Sequence, residues 1–118
     1  GKGVGKQHRK GKKKKVNLTV SSKPEDAVKG SDCIMTDKWV SMNDKVNKKI
    51  KKKYLKPYQV NKKLMRKANS DVIFMHCLPV GRGEEVTDEV IDGKQSVVWR
   101  QALNRVHAQK SIIKWCLD

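Results

Sequence analysis

His76 and Cys77 stand side by side where an apolar run, Val72-Ile73-Phe74-Met75, gives way to Leu78-Pro79. A thiol and an imidazole are the two side chains best placed to take, give or orient a proton near neutral pH. Asp37 lies 40 residues before Cys77 and closes a second apolar run, Cys33-Ile34-Met35-Thr36. Arg105, far down the chain, can donate to an anion or to a carbonyl oxygen. Taken singly these residues have plain readings. An Asp after a strand is commonly a cap or surface ion pair, an Arg on a helix commonly faces solvent, and a lone Cys is commonly inert packing. The adjacency of Cys77 to His76 and Pro79 at a strand end argues against the inert reading. A papain-like Cys77–His76 pair is disfavoured, because neighbours on a strand point to opposite faces. Cys33, Cys77 and Cys116, with His8, His76 and His107, show no zinc-ligand spacing.

The elements that must position these groups are legible around them. Val72 to Met75 has the length and composition of a strand buried on both faces, as in a parallel sheet. Proline cannot continue a central ladder, so the chain turns directly after Cys77. Ser31-Asp32-Cys33-Ile34 and Ser70-Asp71-Val72-Ile73 share a Ser-Asp-x-Ile pattern at an interval of 39 residues. That interval suits a strand, a helical crossover and a second parallel strand. Asp37 and Cys77 then fall at one edge of the sheet, the carboxyl ends of the strands, where open α/β folds bind ligands.

These same residues carry a resemblance. His76-Cys77-Leu78-Pro79, Arg82 and Glu84-Glu85-Val86-Thr87-Asp88-Glu89-Val90 resemble the signature of the ornithine carbamoyltransferases. Asp37-Lys38-Trp39-Val40-Ser41-Met42 is similar to that family's ornithine-binding loop, and Asn104-Arg105 to its late carbamoyl phosphate contact. The match runs from about Val16 to the C-terminus. Aspartate carbamoyltransferases resemble the strand too, but carry proline where Cys77 stands. The resemblance implies an α/β fold, a three-layer α/β/α sandwich around a parallel sheet with three strands in this chain. It implies transfer of the carbamoyl group of carbamoyl phosphate to the δ-amine of ornithine, giving citrulline and phosphate in arginine metabolism.

In that reading Asp37 holds the substrate's ammonium, and Ser41 and Met42 bind the amino acid through hydroxyl and backbone groups. Cys77 is the catalytic residue, a proton acceptor or orienting group beside the δ-amine. His76, Cys77, Leu78 and Arg105 contact carbamoyl phosphate, Leu78-Pro79 is similar to a cis-proline junction, and Arg82 is structural. No cofactor or metal is implied. Asp37 and Ser41-Met42 suit a free α-amino acid better than N-acetylornithine or putrescine. The chain departs from the family's pattern at Asn43, where glycine is usual, and at Leu103, where glutamate is usual. The family's phosphate-gripping Ser-Thr-Arg-Thr-type loop has no counterpart between Gly1 and Asp118. The expected partners are therefore a separate carbamoyl phosphate domain, through which the family forms homotrimers, and the two substrates.

Totals narrow the remaining classes. A chain of 118 residues allows one small domain. Its 36% hydrophobic content and mean hydropathy of −0.76 are low but within the globular range. Lys and Arg number 28 against 12 Asp and Glu, a net charge of +16 that attracts polyanions without a specific site. The alternative function, a small basic nucleic-acid-binding protein, rests on this charge. Against it, the 11 Lys or Arg between Lys45 and Lys67 are spread around helices, and no RRM, KH or zinc motif is present. No apolar run approaches the roughly 18 residues of a membrane span. The odd and scattered cysteines fit a reducing cytoplasm rather than a disulfide framework.

Along the chain, residues 1–15 hold eight Lys or Arg and four Gly, and read as a disordered basic segment before a domain over 16–118. Val16 to Val20 alternates like a short strand. Ser22 and Glu25 have capping-box spacing for a helix over 24–29, with Gly30 as its left-handed cap. Ser41 or Asn43 opens a crossover helix with Val46, Ile50 and Tyr54 on its apolar face, and Asn61 opens a second around Leu64, Met65 and Ala68. A short acidic helix or turn spans 84–91, and a terminal helix spans 101–117. The terminal stripe, Trp99, Leu103, Val106, Ile113 and Leu117, predicts a helix wedged between the sheet and another surface.

Overall fold

Two apolar runs of four residues make the centre of the molecule, a parallel pair of strands β1 (Cys33–Thr36) and β2 (Ile73–His76). The computed structural model describes residues 17–40 and 47–118. In the ladder Cys33 faces Ile73, Ile34 faces Phe74, Met35 faces Met75 and Thr36 faces His76. The Ser-Asp-x-Ile repeat thus finds both strands but lies one residue out of register, since Ile34 pairs with Phe74 and not with Ile73. A shift of one residue exchanges the two faces of a strand. Ile34 and Phe74 consequently point inward together, while Ile73 points out.

The strands are anchored at their amino ends by the Asn69 side-chain amide, which donates to Asp32 Oδ1 at 2.6 Å and to the Gly30 carbonyl at 3.2 Å. On its other side β2 meets the segment around Ser96. Phe74 N–H donates to the Gln95 carbonyl at 2.7 Å, and Val97 N–H donates to the Phe74 carbonyl at 3.0 Å. β2 is therefore the middle of three extended segments. The third is this bridge at Ser96, and not residues 17–20, which form no strand and leave Leu18 and Val20 exposed. Val16 lies outside the described residues.

Between the strands runs a helical crossover. Helix α1 (Pro24–Val28) precedes β1; α2 (Lys48–Leu55), a 3₁₀ turn (Lys56–Tyr58) and α3 (Lys62–Met65) connect β1 to β2. The N-cap of α1 is Lys23, without a side-chain cap, so the Ser22–Glu25 capping box does not form. Ser21 Oγ instead accepts from the Lys23 N–H at 3.1 Å. After α1 the chain turns through Lys29 and Gly30, whose φ of +73° supplies the left-handed residue that a type II turn needs. Asn47 caps α2 by accepting from Lys49 N–H at 3.1 Å, and Asn61 caps α3 by accepting from Leu64 N–H at 2.9 Å. Ser41, Asn43 and Val46, assigned to the start of the crossover helix, lie outside the described residues. Ile50 and Tyr54 leave α2 on the solvent side rather than in the core, and α2 buries no residue.

Helices α4 (Asp88–Ile91) and α5 (Val98–Leu117) complete the chain. The core is made of Val28, Ile34, Val60, Leu64, Met65, Val72, Phe74, Val86, Val90, Ile91 and Val98. Helices α1, α3 and α4 each bury apolar side chains in it, as does the inward face of the sheet. The opposite face stays open at Cys33, Met35 and Ile73. β2 is accordingly buried on one face, not two. The reason is that nothing among the described residues covers the second face. Helix α5 begins three residues earlier than its pattern suggested, and buries only Val98. Its stripe of Trp99, Leu103, Val106, Ile113 and Leu117 is exposed. No helix among the described residues is long and apolar enough to cross a membrane.

Candidate functional site

The parallel register brings the last residues of both strands to one edge, and two of the groups singled out by type, Asp37 and Cys77, meet there. Cys77, one residue past β2, donates from Sγ to Asp37 Oδ1 at 3.0 Å, and Asp37 is the residue after β1. Lys38 N–H donates to the same oxygen at 2.6 Å. The thiol, by its hydrogen bond, holds the Asp37 carboxyl below its ordinary value, helped by the Lys38 amide. The same bond pushes the Cys77 thiol up, since ionising it would place a thiolate against a carboxylate. Partial burial and the Glu85 carboxylate push it the same way. Cys77 is thus held as the protonated thiol, at an exposed position.

His76 points the other way, as strand alternation requires. Its imidazole is buried, and both nitrogens are engaged. Nδ1 accepts from the Leu78 N–H at 3.0 Å and Nε2 lies 3.1 Å from Glu85 Oε1. An Nδ1 that accepts leaves the proton on Nε2, which then donates to Glu85. The ring of His76 is therefore turned into the core, away from Cys77. Leu78 takes a φ of +42°, a left-handed conformation uncommon for a residue with a Cβ, and the Leu78–Pro79 peptide is cis.

Two supporting residues were not among those singled out from sequence. Glu85 is completely buried, and accepts at Oε1 from Gly81 N–H as well as from His76. Gly81 leaves no room for a side chain there, since an added Cβ would fall 2.6 Å from Glu85 Oε2. Gln101, on the first turns of α5, accepts the His76 N–H at 3.1 Å. The signal for a buried partner was present in the sequence. His76 is two residues from Phe74 on the inward face, and a buried imidazole demands partners.

Arg105 lies one turn beyond Gln101 on the same side of α5, exposed and without an ion pair among the described residues. The structure does not bring it into contact with Cys77. Ser41 and Met42 lie outside the described residues. Arg82 is tied to Asp88 at 2.6 Å and to both carboxylate oxygens of Asp92, at 2.6 and 2.9 Å, so it fastens the turn before α4. Among the described residues no group of three His, Cys, Asp or Glu could hold a metal ion.

The fold and site define an α/β protein in which a thiol and a carboxylate meet at the carboxyl edge of a parallel sheet. The family described as "Aspartate/ornithine carbamoyltransferase, Asp/Orn binding domain" matches residues 2–116, and the chain belongs to that family. It is 62% identical over 100 residues to the ornithine carbamoyltransferase of Rhodopseudomonas palustris, covering 85% of this chain and 32% of that protein. It is 59% identical over 93 residues to that of Agrobacterium fabrum, covering 79% of this chain and 30% of the relative. Among solved structures, the ornithine carbamoyltransferase from Pyrococcus furiosus superposes with a TM-score of 0.72 at 53% identity, over 77% of this chain and 29% of that one. That from Burkholderia thailandensis gives a TM-score of 0.70 at 44% identity, over 82% of this chain and 29% of that chain. The chain thus spans about a third of the length of the curated relatives it matches.

Proposed function

We propose that this chain is the amine-binding part of an ornithine carbamoyltransferase, and that it works with a carbamoyl phosphate-binding domain to make citrulline. The observation that carries the reading is the 3.0 Å bond from Cys77 Sγ to Asp37 Oδ1 at the carboxyl edge of the sheet. In the reaction the δ-nitrogen of ornithine forms a bond to the carbamoyl carbon. The carbon–oxygen bond to phosphate breaks, phosphate leaves, and the amine gives up a proton. Asp37, as a carboxylate, suits the α-ammonium of the amino acid, with Ser41 and Met42 completing that contact. Cys77, held as a thiol, orients the δ-amine. It can take the amine's proton only by passing its own to Asp37. The backbone at His76, Cys77 and Leu78, with Arg105, would meet the carbamoyl oxygen and phosphate.

The same reading takes a homotrimer as the assembly and the cytoplasm as the compartment, both carried over from the family. Orientation of two bound substrates is worth roughly 7–11 kcal/mol in such reactions, and no phosphate-gripping loop is found in this chain. The expected outcome is therefore no measurable citrulline from the chain alone and turnover when a carbamoyl phosphate domain is supplied, abolished by Cys77→Ala. Calorimetry with ornithine, N-acetylornithine and putrescine tests the amine side separately. Preference for an analogue lacking the free α-amino acid group would overturn the assignment.

A further inference from the structure

We infer that Glu85 is a positioning residue, which through the tautomer of His76 fixes the turn that carries Cys77 to Asp37. Its relevance to catalysis rests on the reading above; its geometry does not. The turn after β2 has to hold Leu78 at a φ of +42°, and one hydrogen bond from its own amide does so, to His76 Nδ1 at 3.0 Å. That bond exists only while Nδ1 carries no proton. The proton must then sit on Nε2, which in a fully buried ring needs an acceptor, and Glu85 Oε1 at 3.1 Å is that acceptor.

Glu85 is itself held at two points, while its Oε2 is buried without a hydrogen-bond partner among the described residues. Its carbonyl accepts from Val60 N–H at 2.9 Å, its Oε1 accepts from Gly81 N–H, and Gly81 packs against its Oε2. The chain from Cys77 to Gly81 is therefore pinned at both ends by one carboxylate, at Gly81 directly and at Leu78 through the imidazole. With the acceptor gone, a proton on Nδ1 would face the Leu78 N–H, two donors in contact, and the turn would open. Cys77 Sγ would then lose the oxygen that keeps its proton. The titratable groups around the thiol are Asp37, His76 and Glu85, so each variant must be read for its effect on all three.

The experiment uses the full chain and needs no enzymatic activity, so it stands or falls apart from the carbamoyl transfer reading. Nitrogen-15 NMR of the His76 ring in the unaltered chain is expected to show Nε2 protonated and Nδ1 bare. An Nδ1-protonated ring would overturn the inference before any variant is made. Site-resolved alkylation with iodoacetamide then compares Cys77 with Cys33 in the same molecule. Glu85→Leu is expected to raise the Cys77 rate relative to Cys33 by roughly three- to tenfold, because more of the thiol ionises at a fixed pH. Glu85→Gln, whose carbonyl still accepts from both donors, is expected to raise the ratio far less than Glu85→Leu, by no more than the lost carboxylate charge accounts for. An unchanged ratio in a folded Glu85→Leu chain, or equal acceleration in Glu85→Gln, would refute the positioning role. If Glu85→Leu does not fold, the ring tautomer and the Gln variant still decide.

Discussion

Cys77 Sγ and Asp37 Oδ1 lie 3.0 Å apart although 40 residues separate them in the chain, and the thiol is the donor. The contact is the sum of two short strands in parallel register, each ending one residue before its functional group. It also fixes the electrostatics of both partners in opposite directions, the carboxyl downward and the thiol upward.

A pH window follows from those directions. Asp37, with its folded value depressed, contributes its stabilisation above the ordinary carboxyl range and loses it as pH falls through the depressed value. Cys77, with its folded value raised, contributes below the ordinary thiol range and loses it as pH rises through the raised value. The bond should therefore be intact throughout neutral pH and break at both extremes. Alkylation of Cys77 across pH is expected to show a midpoint above that of an unstructured cysteine peptide, and Asp37→Asn should move it down. A midpoint unmoved by Asp37→Asn would contradict the contact.

The buried pair of His76 and Glu85 should be coupled in stability as well as in geometry. Removing either partner strands a polar group in the core, at about 1–3 kcal/mol. A double-mutant cycle with His76→Leu and Glu85→Leu in urea should return a coupling of roughly 0.5–3 kcal/mol. Additive effects would mean that the two side chains do not depend on each other.

Alternation along β2 gives a sharper contrast between neighbours. Phe74 is 0% exposed and Ile73 is 37% exposed. Phe74→Ala is expected to cost about 3–5 kcal/mol, enough to unfold a small domain. Ile73→Ala should cost no more than about 1 kcal/mol. Similar losses for both, measured by denaturation, would show that the open face of the sheet is covered in solution.

Helix α5 supplies a test of that same exposure. Trp115 and Leu117 are about four-fifths exposed, and Ile112 and Ile113 more than half. Such apolar surface on a small protein favours self-association. Replacing Ile112, Ile113 and Leu117 with Gln should lower dye binding and sedimentation-detected association while leaving far-ultraviolet helicity unchanged. Loss of the helix signal would instead mean that the stripe is needed to fold it.

How far the sequence foretold this depends on how local each cause is. The turn after Cys77 was legible because proline cannot continue a ladder, and the meeting of Asp37 and Cys77 because both follow apolar runs at a crossover interval. Register was not legible, since the repeated Ser-Asp-x-Ile pattern sits 39 residues apart while the paired residues Ile34 and Phe74 are 40 apart. Of the strand expected at 16–20, residues 17–20 join no ladder although the outer edge of β1 carries no strand among the described residues, and the third extended segment is the bridge at Ser96. Ile50 and Tyr54 kept a helical period without a surface to bury it. Glu85 was legible as part of the family signature but not as a buried partner, because an acidic residue among acidic neighbours looks solvated until its histidine is placed. Ser41 and Met42 lie outside the described residues, and their roles rest on the family motif alone.

Gln101 gives helix α5 a mechanical connection to the strand end. Its side chain takes the N–H of His76, the residue at which the ladder stops. The remaining turns of the helix stand free of the core. Any surface that loads the exposed stripe from Leu103 to Leu117 would act on a lever whose short arm grips the residue before Cys77. A tilt of the helix would bear on the strand at two points, the Gln101 amide at His76 and the Val97 N–H at the Phe74 carbonyl.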